Sequence, residues 1–204
     1  MNAKIAVVED DPAVLDAVSA LLNSKGHAVL EHNGARSLLD AGPDGGCIIS
    51  DVRMPEMNGL ELVDALKSAN DPRPIILISG HGDIEMAMQA VKSGAFDFIE
   101  KPFDDERLLG AVEKALDAYE QVAAEQAEVA ELRERFDSLT QRQKETMQLL
   151  VEGMTNKDIA QQLGISPRTV EIYRAWVLSK MRADSLVDLV KMSMRLNGNS
   201  NGAG

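Results

Sequence analysis

Polar side chains that could transfer a phosphoryl group follow several short apolar runs in the first hundred residues. Carboxylates that converge at one edge of a sheet repel each other unless a hard cation lies between them, and Mg²⁺ binds carboxylates while it bridges to phosphate oxygens. A lysine and a hydroxyl can hold the phosphoryl group from its other sides, and an aspartate can accept it as an acyl phosphate. The residues of these types are Glu9, Asp10, Asp51, Ser79 and Lys101.

These side chains can meet only if the apolar runs form one parallel sheet. Five runs are predicted to be strands: Ile5–Val8, Ala28–Leu30, Cys47–Ser50, Ile75–Ser79 and Phe96–Ile99. Amphipathic stretches at about 13–25, 35–41, 58–69 and 84–93, and one that begins near 104, predict a helix after each strand. Five such units predict an α/β fold with a doubly wound five-stranded parallel sheet. Right-handed crossovers place the loops after the first, third and fifth strands at its carboxyl edge.

The segment 105–138 is predicted to be a long helical linker. The chain has no Gly or Pro between Gly110 and Gly153, and the segment is rich in residues that favour helices. Its apolar residues recur every seven positions with a second set offset by three, at Val122, Val129, Phe136, Leu132 and Leu139. This spacing is typical of a short coiled-coil seam, although a solvated helix without a partner fits the same residues.

Four short helices are predicted over 139–196. Thr140 and Gln143 have the spacing of a capping box for the first, which ends at Gly153. The second covers about 156–163, the third begins at Ser166-Pro167 and reaches about 181, and the fourth covers about 185–196. The segment 197–204, NGNSNGAG, is of low complexity and is expected to be a disordered tail.

The charges divide unevenly along the chain. The segment 1–136 carries 12 basic and 26 acidic residues, whereas 137–204 carries nine basic and seven acidic residues. An acidic first part and a mildly basic second part suggest different partners for each. The single cysteine excludes an internal disulfide and a cysteine-cluster zinc site. The apolar runs are too short to cross a bilayer and the first residues do not resemble a signal peptide, so we expect a cytoplasmic protein without a membrane partner.

Residues 1–120 resemble receiver domains of two-component response regulators. The segment Asp51-Val-Arg-Met-Pro-Glu-Met-Asn-Gly59 is similar to the loop that bears the family's phosphoacceptor, and Ile99-Glu-Lys-Pro-Phe103 is similar to its Lys-Pro loop, where the peptide before Pro102 is commonly cis. The resemblance implies phosphorylation of Asp51, with Mg²⁺ bound by Asp10, Asp51 and the Arg53 carbonyl directly and by Glu9 through water. It also implies that Lys101 and Ser79 contact the phosphoryl oxygens and that Phe98 is an aromatic switch.

Residues 137–196 resemble the LuxR/FixJ-type helix-turn-helix domain, with the closest likeness in 153–174. Together with the Gly80–Asp83 sequence, this domain points to the FixJ-like subgroup. Apolar residues that pack inward would hold the helix that starts near Pro167 at an angle suited to a major groove. The candidates for phosphate contacts are Lys157, Ser166, Arg168, Thr169, Tyr173, Arg174 and Lys180, and those for base contacts are Glu171, Ile172 and Ala175.

These resemblances imply a transcription factor that a sensor histidine kinase phosphorylates. The phosphorylated form would dimerise and bind double-stranded DNA at an operator with two half-sites, and RNA polymerase would be a further partner. Three alternatives stay open: a phosphatase, disfavoured because Arg53 stands where such enzymes place a second Asp; a phosphorelay or protein-binding module; and a regulator whose linker dimerises independently of phosphate. The sequence leaves open which surface dimerises and what Trp176 does.

Overall fold

A computed structural model describes residues 4–80 and 84–198 of the 204-residue chain. The chain divides into two compact units, Met1–Ala123 and Ala124–Gly204, and the division falls within the helix α5 (Asp105–Asp137). In the part of the chain that the structure describes, no helix is both long enough and apolar enough to cross a membrane.

The first unit contains a five-stranded parallel sheet, which confirms the predicted fold class. Its strands are β1 (Lys4–Val8), β2 (Ala28–His32), β3 (Cys47–Asp51), β4 (Ile75–Ser79) and β5 (Asp97–Glu100). They are ordered β2-β1-β3-β4-β5 with every neighbouring pair parallel. The order reverses at β1, so the carboxyl ends of β1 and β3 flank the switch point of the sheet, where ligands of open α/β folds bind.

Helices cover both faces of this sheet. They are α1 (Pro12–Ser24), α2 (Ala35–Ala41), α3 (Gly59–Ser68), α4 (Ile84–Ser93) and the first turns of α5. Alternate residues of each strand enter opposite layers: Ile5 and Val7 pack with α1 and α5, whereas Ala6 and Val8 pack with α2, α3 and α4. The central strands β1, β3 and β4 are buried on both faces and carry nearly continuous apolar runs, which makes them recognisable in the sequence.

The second unit packs four short helices and the end of α5 around one core. The helices are α6 (Gln141–Val151), α7 (Asn156–Leu163), α8 (Pro167–Met181) and α9 (Leu186–Gly198). The predicted capping box of α6 is confirmed, because the Thr140 side chain accepts from the Gln143 amide and the Gln143 side chain accepts from the Thr140 amide. Ser166 caps α8 as predicted, and Gly164, with φ of 66°, ends α7 in the left-handed conformation.

Three of the five residues of the predicted coiled-coil seam pack within the second unit. Leu132 and Leu139 are buried in the core of the second unit and Phe136 packs against it, whereas Val122 is 41% exposed. Heptad spacing places residues on one helix face but does not say whether a second chain or the same chain covers it. The predicted seam was therefore wrong from Leu132 onward.

Several element boundaries differ from the predictions by one or two residues. Strand β5 begins at Asp97, one residue after Phe96, whose side chain is 40% exposed. Helix α9 continues through Gly198 and so includes the first two residues of the predicted tail, because the last turn adds backbone hydrogen bonds that composition does not reveal. Residues 199–204 of that tail, and residues 81–83 of the subgroup sequence, lie outside the described residues.

Candidate functional site

Acidic groups from two strand ends come together at the carboxyl edge of the sheet. Glu9 follows β1 and Asp51 ends β3; both side chains are buried, whereas Asp10 is exposed. One carboxylate oxygen from each of the three lies within 4.8 Å of the others. Oxygens on opposite sides of an octahedral Mg²⁺ ion are about 4 Å apart, so the donor type and spacing fit this ion.

Lys101 links the two buried acids. Its Nζ donates to Asp51 Oδ1 at 2.7 Å and to Glu9 Oε2 at 2.9 Å. Burial alone would lower the pKa of Lys101, but these hydrogen bonds outweigh burial and raise it, so the ammonium keeps its charge. The lysine predicted to contact a phosphoryl group therefore lies against the predicted acceptor. From this position its ammonium can reach a group attached to Asp51.

The charge of this cluster is not fully compensated. Burial raises the pKa of Glu9; the hydrogen bond from Lys101 opposes the rise and the nearby Asp51 carboxylate adds to it. A group in this situation gains from an additional positive charge, which a divalent cation would supply. Beside Asp51, the cluster offers a cation one buried carboxylate, from Glu9, and one exposed carboxylate, from Asp10.

The loop after β3 holds Asp51 through backbone contacts. Asp51 Oδ2 accepts from the Arg53 amide at 2.6 Å, and the Gly59 amide donates to the Val52 carbonyl at 2.9 Å. A Cβ on Gly59 would lie 2.6 Å from the Asp51 carbonyl oxygen, closer than a side chain tolerates. Asn58 then caps α3 through a capping box with Glu61. The Asp51–Gly59 sequence thus combines the predicted acceptor, a turn and the start of a helix.

Ser79 and Phe98 occupy the strands beyond this loop. Ser79 ends β4, is buried, and its Oγ donates to the Met86 sulfur of α4 at 3.6 Å. Phe98 lies in β5, where it is half-buried against the layer of α2, α3 and α4. The Lys101–Pro102 peptide is cis, as the resemblance implied. Sequence reasoning missed Met86, because nothing in its own position on an amphipathic helix marks it as a neighbour of Ser79.

Helix α8 exposes one face and buries the other. Val170, Val177 and Met181 are fully buried in the core of the second unit, which fixes the helix from its apolar side. Most of the residues predicted to contact DNA lie outside that core. The exposed ones are Lys157, Ser166, Arg168, Glu171, Ile172, Ala175 and Lys180. Thr169, Tyr173 and Arg174 are half-buried.

Several of the predicted contact residues are engaged within the unit. The Lys180 ammonium donates to the Ser138 carbonyl at 2.8 Å and to Gln143 Oε1 at 3.2 Å, which uses two of its three donors. Arg168 and Glu171 form an exposed ion pair at 3.0 Å. Lys180 therefore has a structural role that its position in the sequence did not reveal, and only one of its donors is left for a phosphate.

Comparison with protein-family models matches both units. The model of the response regulator receiver domain matches residues 5–113, and the model of bacterial regulatory proteins of the luxR family matches residues 137–193. The transcriptional regulatory protein FixJ of Bradyrhizobium diazoefficiens is 44% identical over 94% of this chain and 94% of its own length. The response regulator protein TodT of Pseudomonas putida is 43% identical over 94% of this chain and 86% of its own.

Solved structures of two response regulators are similar along nearly the whole chain. The structure of the response regulator StyR is 36% identical in sequence and has a TM-score of 0.84. The match covers 94% of this chain and 98% of the StyR chain. The structure of full-length FixJ from B. japonicum is 42% identical in sequence and has a TM-score of 0.59. The match covers 97% of this chain and 98% of the FixJ chain.

Proposed function

The chain belongs to the FixJ-like response regulators, transcription factors with a receiver domain and a luxR-type DNA-binding domain, and from this premise we propose that Asp51 is its phosphoryl acceptor. The observation that carries the proposal is the contact of Lys101 with both Asp51 and Glu9 beside the exposed Asp10. A receiver domain implies a sensor histidine kinase as donor, and the DNA-binding domain implies double-stranded DNA as the second partner.

The proposed transfer uses the carboxylate of Asp51 as nucleophile. One of its oxygens attacks the phosphorus, the bond from phosphorus to the kinase imidazole breaks, and the imidazole nitrogen keeps the electron pair. Lys101 then donates to an oxygen of the phosphoryl group, and the Ser79 hydroxyl turns to donate to another. Since Lys101 already lies 2.7 Å from Asp51, it needs little movement to do so.

Glu9, Asp10, Asp51 and the Arg53 carbonyl are the groups that we propose to hold Mg²⁺, with Glu9 acting through water. When bound, the ion would neutralise the negative charge that the phosphoryl group brings to this acidic edge. We propose that the protein accepts the phosphoryl group, and loses it by hydrolysis, but is not a turnover enzyme.

The switch that follows joins Asp51 to the surface of the receiver. When Ser79 turns towards the phosphoryl group it leaves the Met86 sulfur, which lies in the first turns of α4. Phe98 would then repack in the space beside β4, and the face made by α4, β5 and α5 would change. We propose that the receiver dimerises through this face or along α5, and so brings two DNA-binding units to an operator with two half-sites.

In the DNA-binding unit, we propose that the exposed face of α8 enters a major groove. Glu171 can accept from a cytosine amine, and Ile172 and Ala175 can meet a thymine methyl group. The proposed phosphate contacts are Lys157, Ser166, Arg168, Thr169, Tyr173, Arg174 and Lys180. A protein that binds promoters acts where the DNA is, so we expect it in the cytoplasm, with RNA polymerase as a further partner.

The acceptor is tested by incubating the full chain with acetyl phosphate and Mg²⁺ and measuring the intact mass. We expect the wild type to gain one phosphoryl group and Asp51→Asn to gain none. Asp64→Asn, which changes an exposed carboxylate of α3, is the matched control and should behave as the wild type. Equal phosphorylation of Asp51→Asn and the wild type would place the acceptor elsewhere and refute the proposal.

A further inference from the structure

Helix α8 carries an exposed aromatic residue that the contacts proposed above do not use. Trp176 is 51% exposed, although burying an indole removes more apolar surface from water than burying most other side chains. Its ring centroid lies 5.8 Å from that of Tyr173 at an interplanar angle of 37°, so the half-buried tyrosine supports one side of it. Tryptophan joins a large apolar ring to one polar N–H, and it is enriched at interfaces for this reason.

The position of Trp176 on the helix restricts what could cover it. Thr169, Tyr173, Trp176 and Lys180 follow one another at spacings of four, three and four, and therefore form one stripe along α8. Each of the four bears an O–H or N–H donor and none bears a carboxylate. The exposed acid Glu171 lies on the other side of the base-facing residues Ile172 and Ala175. We call these four residues the donor stripe.

The length of the helix places the middle of this stripe at a groove edge. Trp176 is nine residues beyond Pro167, a rise of about 14 Å along the helix axis. A major groove is about 12 Å wide, so a helix whose first turns reach the bases passes close to a sugar-phosphate backbone near its third turn. A continuous row of phosphate oxygens is the partner that a stripe of donors without acids matches best.

We propose that Trp176 packs against the sugar-phosphate backbone of one DNA strand and that its indole N–H donates to a phosphate oxygen. This inference rests on the proposed entry of α8 into a major groove. In the complex Tyr173 keeps the indole in place from behind, and the contact positions the helix without reading a base. The contribution is therefore to affinity for any duplex, whereas Glu171, Ile172 and Ala175 would select the sequence.

The test uses the fact that Trp176 is the only tryptophan of the chain. A labelled random-sequence duplex is titrated at low salt with the full-length protein, with binding followed by anisotropy of the label and the site by tryptophan emission. We expect the emission to shift to shorter wavelength and to become several-fold less accessible to acrylamide as the duplex saturates. Addition of beryllofluoride and Mg²⁺ without DNA should leave this emission unchanged.

Variants measure the contribution of the ring and of its N–H. Trp176→Ala should weaken random-duplex binding about tenfold, and Trp176→Phe, which keeps an aromatic ring but loses the donor, about threefold. The loss should be equal for a selected operator, because a backbone contact is independent of sequence. Val187→Ala, which changes an exposed apolar residue of α9, is the matched control, and circular dichroism verifies that each variant is folded.

The outcomes separate this inference from the proposed function. If the duplex binds but the emission stays constant, α8 can still read DNA and the inference about Trp176 is refuted. A shift with beryllofluoride alone would show that a second copy of the chain covers the indole, which also overturns the inference. If no duplex binds at low salt, the proposed DNA contact of the whole helix fails and the inference fails with it.

Discussion

The two units of this protein place their functional side chains in opposite environments. At the edge of the receiver sheet, Glu9 and Asp51 are buried and held by hydrogen bonds from Lys101 and the loop backbone. On helix α8, Arg168 and Glu171 stand in solvent, with side chains 81% and 52% exposed. Burial of charged groups costs free energy unless they are paired, whereas exposed charges cost little.

This difference predicts how each unit responds to substitution. In the receiver, the geometry around the proposed acceptor Asp51 depends on packed backbone and buried charge, so function and stability should change together. In the DNA-binding unit, the core and the helix caps provide stability, whereas the proposed DNA contacts lie on the exposed face of α8, so stability and DNA binding should change separately. Trp176 emission reports unfolding of the second unit alone, and far-ultraviolet circular dichroism reports both units.

The largest effect is expected from Gly59→Ala. A Cβ would lie 2.6 Å from the Asp51 carbonyl oxygen and 3.0 Å from Val52 Cα, and both are backbone atoms that cannot turn away. We expect a loss of roughly 2–4 kcal/mol in the free energy of unfolding of the receiver, together with slower phosphorylation by acetyl phosphate. Urea denaturation followed by circular dichroism measures the first, and intact mass measures the second.

The matched control is Gly110→Ala in α5, where a Cβ would meet nothing within 4 Å. Alanine favours a helix over glycine by about 1 kcal/mol, so this variant should be slightly more stable than the wild type. If the two glycine variants had equal stability and equal phosphorylation, the tight backbone packing beside Asp51 would not matter.

The buried pair of Asp71 and Arg73 gives the next largest effect. Their side chains are 7% and 3% exposed, and the Arg73 guanidinium donates to both Asp71 oxygens and to the Asp44 carbonyl. Arg73→Met leaves a buried carboxylate unpaired, which should lower the free energy of unfolding of the receiver by about 3 kcal/mol. Lys4→Met removes an exposed ion pair with Asp44, which solvent screens, and should have a far smaller effect in the same measurement.

The same variant should weaken a dependence of the receiver's stability on pH. Burial raises the pKa of Asp71, but hydrogen bonds from Arg73 outweigh burial and leave that pKa below its usual value. The wild type therefore has this stabilisation above about pH 4, the pKa of an unfolded aspartate, and loses it as the pH falls through the lowered pKa. In Arg73→Met the hydrogen bonds and the charge of the guanidinium are lost, and the backbone amide of residue 73 still donates to Asp71 Oδ1 at 3.0 Å. The pKa of Asp71 should therefore rise relative to the wild type, and less of this stabilisation should be present above about pH 4. Stability profiles from pH 3 to 7 that have the same slope in both proteins would contradict this account.

A smaller effect, confined to the second unit, is expected from the helix cap of α6. Thr140→Ala removes the acceptor for the Gln143 amide and should cost about 1 kcal/mol, seen as an earlier loss of the folded Trp176 signal. Thr140→Ser keeps the acceptor and should restore most of the stability. Phosphorylation of Asp51 should be unchanged in both variants; a change there would mean that the two units do not respond separately.

The smallest effect on stability is expected from Arg168→Ala, which should have a large effect on DNA binding. Arg168→Ala removes an exposed ion pair with Glu171 and should alter the free energy of unfolding by less than ~0.5 kcal/mol. Its loss should nevertheless weaken duplex binding and reduce the salt slope by about one, as expected for one phosphate contact. A loss of stability as large as that of Arg73→Met would remove the contrast between the units.

The two units were also unequally predictable from sequence. The sheet and its carboxyl edge could be predicted because parallel topology brings strand ends together whatever the details of packing, and the structure does bring Glu9, Asp10, Asp51 and Lys101 together. Helix caps such as Thr140 were predictable because their signal is local. The hydrogen bond from Ser79 to Met86 was not, since it joins a strand end to a helix seven residues on.

Errors arose where spacing left the partner undefined. Leu132, Phe136 and Leu139 have coiled-coil spacing, yet they pack on the core of their own unit, and sequence periodicity cannot distinguish these two uses. Lys180 is a predicted phosphate contact whose ammonium also donates to the Ser138 carbonyl and to Gln143 Oε1, contacts that its place in the sequence does not reveal. In both cases the deciding contact is distant in sequence or depends on how α6 and α8 pack.

Size-exclusion chromatography with light scattering, with and without Mg²⁺ and beryllofluoride, tests most directly the claim that phosphorylation of Asp51 controls assembly. We predict that the wild type changes from monomer to dimer when both are added, and that Asp51→Asn stays monomeric under every condition. Asp64→Asn should follow the wild type. A dimer without beryllofluoride, or the same change in Asp51→Asn, would contradict the claim and would favour assembly that is independent of phosphate.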